Sequence, residues 1–275
     1  MKHRTTFLVV ALLVLSSAIW VMKTSSIAEI QAIEGRLIDL VIDVLPKVSI
    51  TELREMADHG DVHAQASLGW KYYLGEAVPP NYAEAIKWYH KAAEQGDATS
   101  QFLLGRMYTE GKGTPQDYVE AAKWFFKAAE QGNVDSQIYI GTAYHLGLGI
   151  AQDDAEAMKW YLRGAKQDNA TAQRDIGLMY LEGNGVPHDY IEALKWFNKA
   201  ANQGDSGAQR QLGFMYQNGE GVARNYVLAY MWVSLAATRD DGEDKLCLNS
   251  LEEKMSHDQI AEAQKLATAW KPKAN

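Results

Sequence analysis

The chain has 275 residues, 47% hydrophobic and 23% charged, enough apolar material for one large domain or two smaller ones, which excludes a disordered chain. Its formal net charge of -8 leaves no broad basic surface, so nonspecific binding to nucleic-acid phosphates is excluded as a main role. The single cysteine, Cys247, supplies neither an internal disulfide nor a Cys-based zinc site.

Lys2, His3 and Arg4 precede an uncharged apolar run from Phe7 to Met22, closed by Lys23. This pattern predicts a targeting segment over residues 1–26 rather than a buried core helix. The run is long for a signal-peptide core and short for a spanning helix, which needs about 20 residues. Ser16 and Ala18 fit a small-x-small cleavage rule, but cutting there would leave Ile19, Trp20, Val21 and Met22 as a sticky new terminus. We therefore expect an uncleaved anchor, with a cleaved signal peptide as the alternative. Positive charge on the short leading side sends the remainder across the membrane, away from the cytoplasm. Between Ile30 and Val44, Ile33, Leu37 and Leu40 continue a helical apolar stripe that stops before Pro46. It is expected to pack onto the rest of the protein; the alternative is a homodimer through residues 27–45. Residues 49–60, SITELREMADHG, read as a half unit capping the array that follows.

That array is written in the tryptophans. Trp88, Trp124, Trp160, Trp196 and Trp232 are spaced by 36 residues every time, and Tyr72, Tyr108, Tyr144, Tyr180 and Tyr216 repeat in the same register. A self-similar period of this size marks a stacked array whose units cannot bury their apolar faces alone. Each unit reads as two helices. The first starts after Asp61, Asp97, Asn133, Asn169 or Asp205, all good N-caps, and ends at Gly75, Gly111, Gly147, Gly183 or Gly219. The second starts at Asn81, Asp117, Asp153 or Asp189, each followed three residues later by Glu, which predicts a reciprocal capping box. Gly96, Gly132 and Gly204 suit a left-handed C-terminal cap after the second helix, and Asp168 stands in that place in one unit. After Trp232 two more helices are expected, the latter capped by Ser256 with Gln259.

The series A-x-x-x-L-G-x-x-Y-x-x-G-x-G, then D-x-x-x-A-x-x-W and A-A-E-Q-G, resembles the Sel1-like repeat, a relative of the tetratricopeptide repeat. The resemblance implies an all-α fold: a right-handed α/α solenoid of five Sel1-like repeats of 36 residues with N- and C-terminal capping helices. The units are 61–96, 97–132, 133–168, 169–204 and 205–240, preceded by the linker and cap at 27–60 and followed by the cap at 241–275. Ala77 in place of the second loop glycine, and Leu228 and Met231 in place of Glu and Lys, make the two end units irregular.

No catalytic, cofactor or metal constellation stands out from the repeat. G-x-S-x-G, H-E-x-x-H and S-x-x-K are absent, and most carboxylates occupy cap positions. His59 and His63 are separated by helix-breaking Gly60 and Asp61, so they do not form a metal pair. Relatives reported as β-lactamases or penicillin binders carry a disulfide in each repeat, and those cysteines are missing here. Binding remains. Positions that repeat should pack, and positions that vary on one helical face are free to meet a ligand. On the first helices Gln65, Leu68, Gly69 and Tyr72 recur, whereas the face carrying Trp70, Tyr73, Phe102, Arg106, His145, Arg174, Arg210 and Phe214 varies. Stacked, this face forms an inner stripe rich in aromatics and arginines, the types that dominate interfaces. The expectation is a noncatalytic scaffold that binds a protein or peptide, on the periplasmic side of a bacterial inner membrane, or free in the periplasm if the signal is cleaved. The alternatives are a periplasmic cell-wall hydrolase, β-lactamase-like or peptidoglycan-binding enzyme, and a structural spacer.

Overall fold

Asp61, Asp97, Asn133, Asn169 and Asp205 each accept a hydrogen bond from the backbone N–H three residues on, and from each of them a helix of 13 residues departs. These first helices are α2 (Val62–Leu74), α4 (Ala98–Glu110), α6 (Val134–Leu146), α8 (Ala170–Glu182) and α10 (Ser206–Asn218). They stop at Gly75, Gly111, Gly147, Gly183 and Gly219, all left-handed, as a C-terminal cap requires. The second helices are α3 (Tyr82–Glu94), α5 (Tyr118–Glu130), α7 (Asp154–Lys166), α9 (Tyr190–Asn202) and α11 (Tyr226–Ala236). A short helix, α1 (Ile50–Asp58), precedes them, and α12 (Gly242–Glu252) and α13 (His257–Ala269) follow. The structure is a computed structural model and describes residues 49–76, 78–237 and 242–272; it has no strand among them. The expected anchor at 1–26 and the stripe at 27–45 lie outside the described residues. Among the described residues no helix is long and apolar enough to cross a membrane. The described residues from Leu53 onward form one compact unit.

The second helices depart in one detail from the sequence expectation. Their cap side chains do accept from the third backbone N–H, but each cap's own N–H donates to a tyrosine carbonyl in the first helix of the same unit. Asn81 donates to Tyr72, Asp117 to Tyr108, Asp153 to Tyr144, Asp189 to Tyr180 and Asn225 to Tyr216, at 2.8–2.9 Å. With that donor taken, the glutamates turn outward to lysines: Glu84 to Lys87, Glu120 to Lys123, Glu156 to Lys159 and Glu192 to Lys195. Reciprocal boxes form instead at α1, between Ser49 and Glu52, and at α13, between Ser256 and Gln259.

Packing between units follows from the repeated residues. Ala85, Tyr89 and Ala93 of α3 meet Leu104 and Met107 of α4 and Trp124 of α5 in one cluster. One unit later Ala121, Phe125 and Ala129 meet Ile140 and Trp160. Trp124, Trp160 and Trp232 are thus wedged against the small residues of the unit before them, and Trp88, Trp124 and Trp160 are 4% exposed. Lys91, Lys127, Arg163 and Lys199 lie over the outer faces of Trp88, Trp124, Trp160 and Trp196 at 3.9–4.1 Å. The first-helix glycines allow close approach within a unit: a methyl added at Gly69, Gly105, Gly141, Gly177 or Gly213 would come within 2.4–2.7 Å of Tyr89, Phe125, Tyr161, Phe197 or Val233.

A glutamine ladder runs through the joints. Gln65, Gln101, Gln137 and Gln209 donate to the carbonyls of Ala57, Ala93, Ala129 and Ala201 at the end of the preceding helix. The side-chain oxygens of Gln65, Gln101, Gln137 and Gln173 accept from Gln95, Gln131, Gln167 and Gln203. Gln173 departs from the pattern by donating to Asp168 at 2.6 Å. Asp168, with φ of 59°, is the one non-glycine residue among those described that takes the left-handed cap conformation. Its carboxylate holds two rungs of the ladder, since Gln203 also donates to it.

The last unit is irregular because it is covered. Leu228 and Met231 replace the outward Glu and Lys, and both join the apolar cluster that includes Ala267 and Trp270 of the C-terminal segment. Trp270 meets Trp232 edge to face at 6.2 Å.

Candidate functional site

The variable face of the first helices borders this packing. Ala66, Trp70 and Tyr73 on α2 are half-buried or exposed, as are their counterparts on α4, α6, α8 and α10; none is fully buried. Trp70 is 44% exposed and Phe214 36% exposed. Several of the others are shared with the core: Tyr73, Phe102, Ile138, Leu178 and Leu181 pack on its edges.

Toward α2 and α4 the face is aromatic. Trp70 and Tyr73 stack at 6.2 Å, and Tyr73 meets Tyr82 edge-on at 5.4 Å. Phe102 leans on Phe125 and Tyr139, which stack on each other at 4.6 Å. Arg106 donates to Glu110 at 2.9 Å and reaches over the Phe102 ring. Lys112 pairs with Glu110 at 2.7 Å and donates to the Tyr73 hydroxyl at 3.1 Å. Hydrogen bonding from Lys112, reinforced by Arg106, holds the Glu110 carboxyl below its usual range. Tyr139 and Lys112 were missed in the sequence because they fall outside the variable register; only the fold brings them to its edge.

Toward α8 and α10 the same face is ionic. Arg174 binds Asp175 at 2.9 Å and reaches Asp205 in the next unit at 3.4 Å. Burial pushes the Asp175 carboxyl above the ordinary aspartate value, and Arg174 partly offsets that effect. His145 lies 2.6 Å from Asp154, and Thr142 shares a hydrogen bond with Tyr161 at 3.1 Å. Burial pushes the Tyr161 phenol up to about 12. His145, Arg174, Asp175 and Tyr161 line one cleft of about 270 Å³. Arg210 makes a two-pronged contact with Asp244 of α12, at 2.5 and 2.8 Å, and Asp244 is 1% exposed. This arginine joins the array to its C-terminal cap. Nothing in the repeat register pointed to Asp244, since it lies beyond the last unit.

The stripe is therefore two surfaces: stacked rings with exposed edges at one end, and arginines already held by carboxylates at the other. Among the described residues no three His, Cys, Asp or Glu side chains stand where they could hold a metal ion. His59 sits before the left-handed Gly60, its ring nitrogen 2.6 Å from the Glu55 carbonyl, and His63 belongs to the next helix.

Comparison with known proteins agrees with this architecture. The Sel1 repeat family model matches residues 62–97, 98–133, 134–169, 170–205 and 206–241, each one residue later than the units delimited by the caps. A Sel1 repeat protein from Oxalobacter formigenes is 32% identical over 75% of this chain and 88% of its own, with a TM-score of 0.67. A protective antigen of uropathogenic Escherichia coli displaying an SLR fold is 31% identical over 80% of this chain and 55% of its own, with a TM-score of 0.53. No curated protein matches the chain. Sel1 repeats generally serve as noncatalytic scaffolds for protein–protein interaction. With five consecutive matches covering well over half of its length, this chain belongs to the Sel1 repeat family.

Proposed function

We propose that the protein is a noncatalytic scaffold of the bacterial cell envelope that binds a protein or peptide along the variable face of its first helices. The observation that carries this reading is the contrast within single helices. Gln65, Leu68 and Gly69 are buried in the joint, while Trp70, the residue after Gly69, turns to another face of the helix and keeps 44% of its surface exposed. An exposed indole stacked on Tyr73 forms a rigid, amphipathic anchor that desolvates readily against a partner. The envelope setting rests on the basic residues and apolar run at the amino terminus.

The test is a crosslinking pulldown from membranes, comparing wild type with Trp70→Thr/Arg106→Thr/Phe214→Thr. Thr142 occupies the same register in the third unit, so the substitutions suit the helices. Arg174 and Arg210 are left intact because they neutralise buried carboxylates. Partners lost only from the variant establish the scaffold. Identical recoveries move the function off this face and favour a spacer. Fractionation of tagged full-length protein tests the anchor: recovery in the membrane fraction is expected.

A further inference from the structure

Between α2 and α4, the Trp70 indole, Ala66 and Leu103 border a cleft of about 360 Å³ whose walls also include Tyr89 and Ser100. Tyr89 is 1% exposed and Ser100 is fully buried, yet neither side-chain oxygen has a hydrogen-bond partner. Buried hydroxyls are ordinarily satisfied, and two orphans on one cleft are a departure that asks for a reason.

The other units act as controls on this reading. In the register of Tyr89 stand Phe125 and Phe197, which carry no hydroxyl, and Tyr161, whose hydroxyl is bonded to Thr142 at 3.1 Å. The residue corresponding to Thr142 in the first unit is Trp70, whose ring offers no oxygen and stays exposed. In the register of Ser100 stand Ala64, Ala172 and Ala208, which need no partner; Ser136 shares the orphaned hydroxyl but does not border this cleft. The first unit therefore combines a buried phenol, the loss of its internal partner, and an exposed aromatic platform beside the opening. Burial also keeps the Tyr89 phenol protonated far above neutral pH, so it is a donor wherever an acceptor reaches it.

From this geometry we infer that the cleft is a subsite for a tyrosine side chain of a partner peptide, with its ring against Trp70 and Leu103 and its hydroxyl bonded to those of Tyr89 and Ser100. The walls are mostly apolar and the orphaned groups are two hydroxyls, which matches a flat ring ending in one oxygen that both donates and accepts. Ser67, Lys71 and Thr99 complete the lining, so a sugar is the competing ligand that the experiment includes. The inference rests on the proposed peptide-binding face and names the chemistry of one contact on it.

The experiment titrates full-length protein with N-acetyl-tyrosinamide, N-acetyl-phenylalaninamide and N-acetylglucosamine, following the Trp70 indole N–H resonance, assigned by its loss in Trp70→Thr. The tyrosine probe should bind about tenfold more tightly than the phenylalanine probe, the ratio expected for a satisfied buried hydroxyl. In Tyr89→Phe that ratio should collapse towards one, and Ser100→Ala should reduce it partly. Both replacements already occupy the same registers in other units, so loss of folding does not confound the reading. Equal binding of the two amino-acid probes, no shift with any probe, or preference for the sugar would each overturn the inference. If the threonine variant still loses its partners in the pulldown, the peptide-binding face survives that failure. If partner recovery is unchanged while the tyrosine ratio holds, the subsite stands without the wider face.

Discussion

The two ends of the repeat array solve the same problem in opposite ways. At the carboxyl end the chain covers its own terminus: Leu228 and Met231 turn apolar beneath Ala267 and Trp270, and Arg210 is clamped by a buried Asp244. At the first unit the exposed ring of Trp70 and the orphaned hydroxyl of Tyr89, with that of Ser100 from the second unit, stay beside an open cleft. A stacked array needs every joint to be packed, but its variable face can be used for closure or for recognition. Here the acidic partner of the last arginine, Asp244, comes from the cap, while Trp70 in the first unit keeps 44% of its surface exposed.

Substitutions can break this comparison. Trp124 lies at an interior joint, 4% exposed, so Trp124→Ala should cost about 3–5 kcal/mol in chemical denaturation, more than a change in either end unit. An unmoved transition would show that the tryptophans do not hold the joints. Arg210→Met should come next, destabilising by about 3 kcal/mol because Asp244 is left charged and buried. Adding Asp244→Leu should recover much of that loss. Arg106→Met, whose partner Glu110 is partly solvated, should change stability by less than about 1 kcal/mol, and a loss as large as that at Arg210 would erase the difference between the ends.

The ionic stretch of the face can be sharpened through pH. Burial raises the folded-state pKa of Asp175 above its unfolded value, so the native state holds this proton after the unfolded chain has released it. Stability from this group is then highest at low pH and falls as pH rises from the ordinary aspartate value, about 3.9, through the folded one. The stability of wild type minus that of Asp175→Asn should decline over that window in urea melts at successive pH values. A flat difference would mean that the carboxyl is not perturbed. The smallest effect is expected at Asp168. Glycine there relieves a left-handed backbone but removes an acceptor from Gln173 and Gln203, so Asp168→Gly should stay within about 1 kcal/mol of wild type. Asp168→Ala, which loses the acceptor and keeps the strain, should be the less stable of the two.

The period, the helix pairs, the caps and the family could all be read from the chain, because each follows from local chemistry repeated in register. Asp61 caps a helix and Gly75 ends one wherever the sequence places them. The capping box at Asp117 was half legible: its side chain behaves as the pattern says, but its backbone donor goes to Tyr108, a choice made by the packing of two helices. The variable face was legible as a set of positions and illegible as a surface. Its arginines looked alike in the sequence, and only the fold gave Arg106 a solvated partner and Arg210 a buried one.

The sequence by itself determined that this protein is a stack of five two-helix units, since a spacing of 36 residues and its cap residues act over a few turns of chain. Tertiary structure alone decided which hydroxyls lack partners, which carboxylates neutralise which arginines, and how the C-terminal segment packs on the last unit. Those outcomes depend on pairs as distant in sequence as Arg210 and Asp244, or on the coincidence of Trp70 with Tyr89 across one helix joint, and no local pattern encodes them.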